Sequence, residues 1–217
     1  MGGQRLYEAF ASVAKALASD RRLELIELLA QAERPVEDLA RAAGLGVTSV
    51  SNHLQVLKQA GLVATRRQGT RVFYRLAGED VAALWVLLRQ VGSAHLAEAE
   101  RARAAYLGPG DTDQLTREQL QQRLAAGQVT VIDVRPGVEY AAGHIPGALS
   151  LPLDELLDRL DELPAEGLIV AYCRGAYCVL AHEAVRVLAG RGHGAARLAD
   201  GMLEWRLAGL PVAIAGA

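Results

Sequence analysis

A glycine- and proline-rich break near the middle of the chain most constrains what it can fold into. Over residues 79–106, apolar residues recur at steps of three and four, which predicts one long helix with a single apolar face. The pattern stops at the Gly-Pro-Gly sequence of residues 108–110, because glycine and proline end helices and form turns. Thr116 and Gln119 then predict a capped helix start. The sequence therefore predicts two domains and a linker, at residues 1–107, 115–217 and 108–114.

The composition excludes several classes of protein. Apolar residues make up 51% of the chain, which suits packed cores and excludes a disordered protein. No uncharged apolar stretch approaches the roughly 18–20 residues of a membrane span, and the N-terminal pattern is not that of a signal peptide. Two cysteines cannot form the disulfide framework of a small secreted protein. We therefore predict a cytoplasmic protein with no membrane partner.

The net charge of −2 hides two halves of opposite charge. Residues 1–108 carry 14 Lys and Arg against 11 Asp and Glu, whereas residues 109–217 carry 9 against 14. Both cysteines, Cys173 and Cys178, lie in the acidic half. The basic half favours an anionic partner, and all thiol chemistry belongs to the acidic half.

The basic half has the pattern of a winged helix-turn-helix. Helical patterns at 6–17, 21–31, 36–43 and 47–60 precede two β-rich runs around Gln68-Gly69, which predict a hairpin. In the fourth helix, Val50, Leu54 and Leu57 recur on one face and are expected in the core. The opposite face presents short hydrogen-bonding side chains that can reach base edges in the major groove. These are Thr48, Ser49, Ser51, Asn52, His53, Gln55 and Lys58.

The predicted hairpin is rich in arginine. Arg66, Arg67 and Arg71, with Arg75, are placed to meet phosphates or a minor groove. Taken alone, a polar helix face is usually solvated, and arginines on a hairpin often serve only solubility. The two features in this order favour binding to double-stranded DNA.

Four segments of the first half resemble the ArsR/SmtB family of bacterial repressors: DRRLELIELL at 20–29, VEDLA at 36–40, SVSNHLQVLKQAGLV at 49–63 and GTRVFYRL at 69–76. The resemblance covers about residues 5–105. It implies a homodimer joined through the first and last helices, at 6–17 and 79–106, on a palindromic operator. The metal-binding residues of many members are missing: residues 36–40 hold no cysteine, and Ala82, Ser93 and Leu96 occupy ligand positions of the last helix. No metal or cofactor is predicted.

The acidic half has a βα pattern. Short β-branched runs at 129–134 and 168–172 predict buried parallel strands, and a helical pattern follows at 179–189. This pattern predicts a small α/β domain. The fold class is therefore multidomain, with an α+β winged helix-turn-helix followed by a parallel sheet flanked by helices.

A cysteine follows the second of these strands directly. Cys173 precedes a short loop and a helix N-terminus, where backbone N–H groups and the helix dipole favour a thiolate and bind anions. A buried, inert cysteine is the ordinary alternative, but the strand–loop–helix setting favours a functional one. The predicted substrate-binding loop is Arg174, Gly175, Ala176, Tyr177, Cys178 and Val179.

Three separated segments resemble a single rhodanese domain: VIDVRPGVEYAAGHIPGAL at 131–149, YCRGAYC at 172–178 and DGMLEWRLAGLPV at 200–212. The resemblance implies a parallel five-stranded sheet and sulfane-sulfur transfer, with Cys173 as the catalytic nucleophile. Cys173 would take sulfur from thiosulfate, a persulfide or a polysulfide and pass it to a thiol acceptor. Val179 replaces the arginine of the related phosphatase and arsenate-reductase loops, which disfavours their chemistry. Asp133, Arg135, Glu139 and His144 match residues that are chiefly structural.

Two interpretations of Cys178 stay open. It is either a resolving cysteine that forms a disulfide or polysulfide bridge with Cys173, or a small inward-facing residue at the start of the helix. We expect a DNA-binding regulator that senses or transfers sulfane sulfur through Cys173. One alternative is an active sulfurtransferase whose DNA-binding domain is only a tether or autoregulator. Another is a sensor of arsenic or a similar ion through both thiolates.

Overall fold

The computed structural model describes residues 2–108 and 112–215, and these residues form two compact units that divide between Leu88 and Arg89. The first unit contains α1 (Gly2–Leu17), α2 (Asp20–Gln31), β1 (Arg34–Pro35), α3 (Val36–Ala42), α4 (Val47–Gln59), β2 (Val63–Gln68), β3 (Arg71–Leu76) and most of α5 (Glu79–His95). The second contains the end of α5, α6 (Ala97–Leu107), β4 (Gln114–Leu115), α7 (Arg117–Ala125), β5 (Val129–Asp133), α8 (Gly137–Ala142), β6 (Leu149–Ser150), a 3-10 helix (Leu160–Glu162), β7 (Leu168–Tyr172), α9 (Val179–Gly190), β8 (Gly194–Leu198) and α10 (Met202–Leu207).

The first unit contains the predicted hairpin. Strands β2 and β3 pair antiparallel out to Gln68 and Arg71, and β1 adds to β3. Gly69 has φ +59°, which the first position of a two-residue type II′ turn requires. The helix-turn-helix with its basic wing is confirmed.

The core of the first unit follows the spacing of its apolar residues. Val50, Leu54 and Leu57 of α4 are fully buried, as predicted, together with Leu25 and Leu39. Burying each such side chain contributes about 1.5–3 kcal/mol. This packing turns the polar face of α4 outward.

One element differs from the prediction. The single helix expected over residues 79–106 is two helices, α5 and α6, separated at Leu96, which has φ −112° and ψ 103°. Gly92 and Ser93 have low helix propensity and weaken the helix just before this break. The apolar spacing continues through Leu96, so the pattern alone does not reveal it.

The second unit is built on a five-stranded parallel sheet in the order β4-β8-β7-β5-β6, as the rhodanese resemblance implies. The central strands are buried on both faces. Ile132 and Ile169 face one core cluster, and Val131 and Val170 face the other. This alternation explains their continuous apolar sequence.

Two sequence signals near the middle of the chain have different outcomes. The capping box is confirmed, because the Thr116 N–H donates to Gln119 Oε1 (2.9 Å) and the Gln119 N–H donates to Thr116 Oγ1 (3.3 Å). Within the predicted linker, residues 109–111 lie outside the described residues, and the domain boundaries stay a prediction.

Nowhere in residues 2–108 and 112–215 is a helix both long and apolar enough to cross a membrane.

Candidate functional site

The two cysteines meet at the carboxyl end of β7. Cys173 directly follows this strand and is 2% exposed, and Cys178 is the N-cap residue of α9. Their sulfur atoms form a disulfide with a Cα–Cα distance of 6.3 Å. Cys178 is half-buried and also packs against the adjacent core. The loop therefore brings the only two thiols of the sequence together.

The backbone of residues 200–203 supports this loop. The N–H groups of Met202 and Leu203 donate to the carbonyl oxygens of Cys173 (2.8 Å) and Arg174 (3.1 Å). A Cβ on Gly201 would lie 2.6 Å from the carbonyl carbon of Arg174, closer than real Cβ atoms approach backbone. Glycine is therefore required at this position by close approach of two backbone segments.

The loop offers backbone donors to an anion. The Cys178 N–H donates to the Gly175 carbonyl (3.0 Å), closing a turn just before α9. Within the part of the chain that the structure describes, the N–H groups of Gly175, Ala176 and Tyr177 have no hydrogen-bond acceptor. Consecutive donors beside a helix N-terminus favour a thiolate, a persulfide anion or a small oxyanion.

Arg174 binds a buried carboxylate. Its Nη2 lies 2.8 Å and its Nε lies 3.0–3.1 Å from the oxygens of Glu139, which is fully buried in α8. Arg174 directly follows Cys173, a position at which a guanidinium can add positive charge to the anion site. Its guanidinium instead neutralises Glu139, so its charge reaches the loop only in part.

A second buried pair fixes the end of β5. The Arg135 guanidinium donates to both oxygens of Asp133 (2.5–3.2 Å) and to the Gly143 carbonyl (2.7 Å), and the Tyr172 hydroxyl donates to Asp133 (2.7 Å). Burial, with the nearby Asp133 charge, raises the pKa of Tyr172 well above its ordinary value. The tyrosine therefore stays a neutral donor. His144 stacks on Tyr140 with ring centres 3.7 Å apart. These contacts agree with the structural roles expected for Asp133, Arg135 and His144.

Sequence reasoning missed a set of side chains that contact the loop. Arg89 Nη2 donates to Glu204 Oε1 (2.6 Å), and the Arg89 guanidinium lies 5.4 Å from the centre of the Tyr177 ring. The Tyr177 hydroxyl donates to Ser93 Oγ (2.9 Å). Glu204 and Gly201 belong to the segment at 200–212 that resembles a rhodanese domain, and this resemblance could have indicated their place beside the loop. No sequence pattern linked Arg89 or Ser93 to this loop.

The polar face of α4 lies where its spacing predicts. Five of its residues are exposed, and Ser51 and His53 are half-buried; the exposed ones are Thr48, Ser49, Asn52, Gln55 and Lys58. Gln55 Nε2 also donates to the Tyr74 hydroxyl of the hairpin (3.3 Å), which connects α4 to the wing.

The wing arginines differ in their contacts. Arg66 forms a bidentate pair with Glu33 (2.7–3.1 Å) and lies over the Phe73 ring, and the hydrogen bond to Glu33 raises its pKa. Arg67 and Arg71 are exposed near the turn. Arg67 and Arg71 are therefore better placed than Arg66 to meet phosphates.

No group of three or more His, Cys, Asp and Glu side chains within residues 2–108 and 112–215 is placed to hold a metal ion.

Known proteins resemble this chain over both units. Residues 19–65 match the family described as "Bacterial regulatory protein, arsR family", and residues 116–208 match "Rhodanese-like domain". The HTH-type transcriptional regulator Rv0324 of Mycobacterium tuberculosis is 55% identical over 207 residues, which are 95% of this chain and 91% of that protein. The chain belongs to the ArsR family of bacterial regulatory proteins. This ArsR-family regulator also carries a rhodanese-like domain.

Two further relatives each match one half. A sulfurtransferase of Allochromatium vinosum is 34% identical over 102 residues, 46% of this chain and 94% of that protein. A solution structure of a homodimeric winged helix-turn-helix DNA-binding domain from Mycobacterium bovis is 50% identical, with a TM-score of 0.42. The match covers 44% of this chain and 88% of the Mycobacterium bovis chain. Both resemblances predicted from the sequence are confirmed by the family matches.

Proposed function

We propose that this ArsR-family protein is a cytoplasmic, homodimeric repressor or activator whose Cys173–Cys178 pair senses sulfane sulfur. The observation that carries the proposal is the meeting of both thiols in one loop, in which the N–H groups of residues 175–177 have no hydrogen-bond acceptor among the described residues. Both cysteines of the sequence lie in this loop, so sulfur can react with a cysteine only there.

Double-stranded DNA is the proposed partner of the first unit. The exposed polar face of α4 suits the major groove, and Arg67 and Arg71 extend the basic surface along the wing. A two-fold dimer presents two such helices, so the operator is expected to be palindromic with half-sites about one helical turn apart.

Exposed apolar side chains support the proposed homodimer. On α1, Leu6, Tyr7 and Phe10 are 54–73% exposed, and on α5, Leu87 and Val91 are 54% and 49% exposed. Apolar residues grouped on one helix face are typical of an interface. These are the first and last helices that the ArsR resemblance implies for dimerisation.

The proposed sensing reaction needs only a polysulfide. After loss of its proton, the Cys173 thiolate attacks the outer sulfur, an S–S bond forms, and the shortened polysulfide leaves with the electron pair of the broken bond. The Cys178 thiolate then attacks Cys173 Sγ, and the outer sulfur leaves as hydrosulfide. The two cysteines are oxidised to the disulfide, and the sulfane sulfur is reduced.

A gel-shift measurement tests the proposal. The probe is a duplex selected from a random double-stranded DNA library by whichever state of the protein, reduced or disulfide-linked, binds DNA. Polysulfide is expected to change the affinity of the wild type about 5–150-fold, the usual range of allosteric coupling, and to leave Cys173→Ser unchanged. The sensing model is wrong if Cys173→Ser still responds to polysulfide.

The resemblance to a sulfurtransferase favours a second candidate function. In this case Cys173 takes the outer sulfur of thiosulfate, sulfite leaves, and an external thiol removes the sulfur from the persulfide. Multiple turnovers with thiosulfate and a thiol, together with a DNA affinity that does not change, would favour this tethered enzyme. A thiophilic-ion sensor would instead respond to arsenite, although two thiolates form an incomplete site.

A further inference from the structure

We infer that the end of α5 responds to whether Cys173 and Cys178 are reduced or linked. The responding residues of α5 are Arg89 and Ser93, which contact the loop through Tyr177 and Glu204. This inference rests on the proposed sensing function and names the element that responds to it. Residues 89–95 of α5 belong to the second unit, together with the loop. All the contacts that carry the inference therefore lie within one compact unit.

The first contact runs through Tyr177. This residue directly precedes Cys178, so a movement of the Cys178 backbone also displaces the Tyr177 backbone. The Tyr177 hydroxyl donates to Ser93 Oγ over 2.9 Å, and the ring faces the Arg89 guanidinium at 5.4 Å. A movement of Cys178 is thus expected to move a side chain that α5 holds at two points.

The second contact runs through Glu204. Arg89 and Glu204 form an ion pair of 2.6 Å in which the side chains are only 9% and 11% exposed. The other Glu204 oxygen accepts from the Gly201 N–H (3.1 Å), and Gly201 packs directly on the backbone of Arg174 and Gly175. A Cβ built on Gly175 would lie 3.0 Å from Arg89 Nη1, so the guanidinium also lies directly against the loop.

These contacts make α5 sensitive to the state of the cysteine pair. Two sulfur atoms that are not bonded lie farther apart than two that are, so reduction is expected to shift the side chains or the backbone of the turn that Gly175 and Cys178 close. The loop packs tightly on Gly201 at Arg174 and Gly175, so the shift is expected on the side of Tyr177. Packed elements respond to such changes by small shifts between discrete arrangements.

The responding helix also carries the proposed dimer surface. Leu87 and Val91 are exposed on α5, two residues before Arg89 and Ser93 respectively, which is about half a helical turn away. A shift of α5 is therefore expected to change the geometry of the dimer, and with it the separation of the two recognition helices. In this proposal, the loop reacts with sulfur and α5 transmits the resulting change to the dimer.

The test compares Ser93→Ala and Arg89→Gln with the wild type in the full-length protein. Arg101→Gln is the matched control, because Arg101 is exposed on α6 and has no hydrogen bond or ion pair to any described residue. Each protein is prepared reduced and with Cys173 and Cys178 linked, and intact mass spectrometry verifies both states. The affinity for the selected duplex is then measured in each state.

The wild type and Arg101→Gln are expected to show the same ratio between the two affinities, about 5–150-fold. Ser93→Ala and Arg89→Gln are expected to bring the ratio to within about twofold of one while still forming the disulfide. A merely structural role would weaken DNA binding equally in the reduced and linked states and would leave the ratio of the two affinities unchanged.

Failure of this inference differs from failure of the proposed function. Equal affinities in the two wild-type states would overturn the sensing function itself. A clear wild-type ratio that both variants retain would overturn only the role of α5. Should Arg89→Gln fold poorly, Ser93→Ala decides the question, since it removes a single hydroxyl group.

Discussion

At the scale of single residues, the packing of the loop between β7 and α9 requires a residue without a side chain at position 201, which is Gly201. A Cβ there meets the backbone of the loop, at 2.6 Å from the carbonyl carbon of Arg174. Gly201→Ala is expected to lower the free energy of unfolding by about 1–3 kcal/mol, as overpacking usually does, and to slow the reaction of Cys173 with polysulfide. Urea denaturation and mass spectrometry measure the two effects. Gly190→Ala is the control, because nothing lies within 4 Å of its Cβ position; an equal loss in both variants would contradict the argument.

His182 predicts a pH dependence of stability. It is 4% exposed in α9, and burial, followed by the charges of Arg197, Arg186 and Arg103, lowers its pKa to about 4. Above about pH 6.5 the ring is neutral in both the folded and the unfolded chain. As the pH falls from there toward 4, only the unfolded chain gains the proton, so the free energy of unfolding decreases by up to about 3 kcal/mol.

The measurement compares the wild type with His182→Gln by urea denaturation at about pH 7 and about pH 4.5. The variant lacks the titrating ring, so its stability is expected to fall less between the two values. An identical decrease in both proteins would show that His182 does not contribute.

The sequence did not predict which carboxylates pair with individual arginines. Arg66 binds Glu33 and Arg174 binds Glu139, at separations of 33 and 35 residues, and Arg89 binds Glu204 across 115 residues. Such pairs are set by tertiary packing, which local spacing does not encode. The position of Cys173 was predictable because the strand before it has a strong local pattern.

At the scale of elements, the wing is expected to bind DNA through its exposed arginines. Removing one phosphate contact weakens binding to all sequences and lowers the slope of log K against log salt by about 0.9. Arg67→Ala is expected to show this loss, whereas Arg123→Ala, an exposed arginine of α7, is expected to show none. Fluorescence anisotropy over a range of salt concentrations measures the slope. An unchanged slope in Arg67→Ala would remove this residue from the interface.

The helices of the proposed dimer give a separate prediction. Leu87 is 54% exposed on α5, and a carboxylate at this position would be desolvated in an apolar interface. Leu87→Glu is therefore expected to be a monomer with weaker DNA binding, whereas Val138→Glu, at an equally exposed site on α8, is expected to stay dimeric. Analytical ultracentrifugation measures the mass of each. A dimeric Leu87→Glu would exclude α5 from the interface.

Element types were predictable wherever the apolar period was strong. The α4 core face, the hairpin with Gly69 and the parallel strands all follow from local spacing and turn chemistry. The break at Leu96 did not, because the apolar residues keep the helical period through Leu96. Residues 89–95 of α5 combine both cases, since their helix was predictable and their contacts with the loop were not.

At the scale of the whole molecule, coupling between sulfur sensing and DNA binding must be reciprocal. If linking Cys173 to Cys178 changes the DNA affinity by a given factor, bound DNA changes the equilibrium between dithiol and disulfide by the same factor. Should linkage of both cysteine pairs weaken DNA binding by the dimer 30-fold, for example, saturating DNA would favour the fully reduced dimer over the fully linked one about 30-fold, which corresponds to about 2 kcal/mol. The direction of the shift identifies which form binds the operator.

A glutathione redox titration with and without the selected duplex measures this factor independently of any affinity. The factor from the titration, taken over both cysteine pairs of the dimer, is expected to equal the affinity ratio of the wild type, and both are expected to approach one in Ser93→Ala. A change of affinity with no matching shift of the dithiol equilibrium would mean that polysulfide acts elsewhere than at the cysteine pair, since reciprocity is a thermodynamic requirement for two linked equilibria.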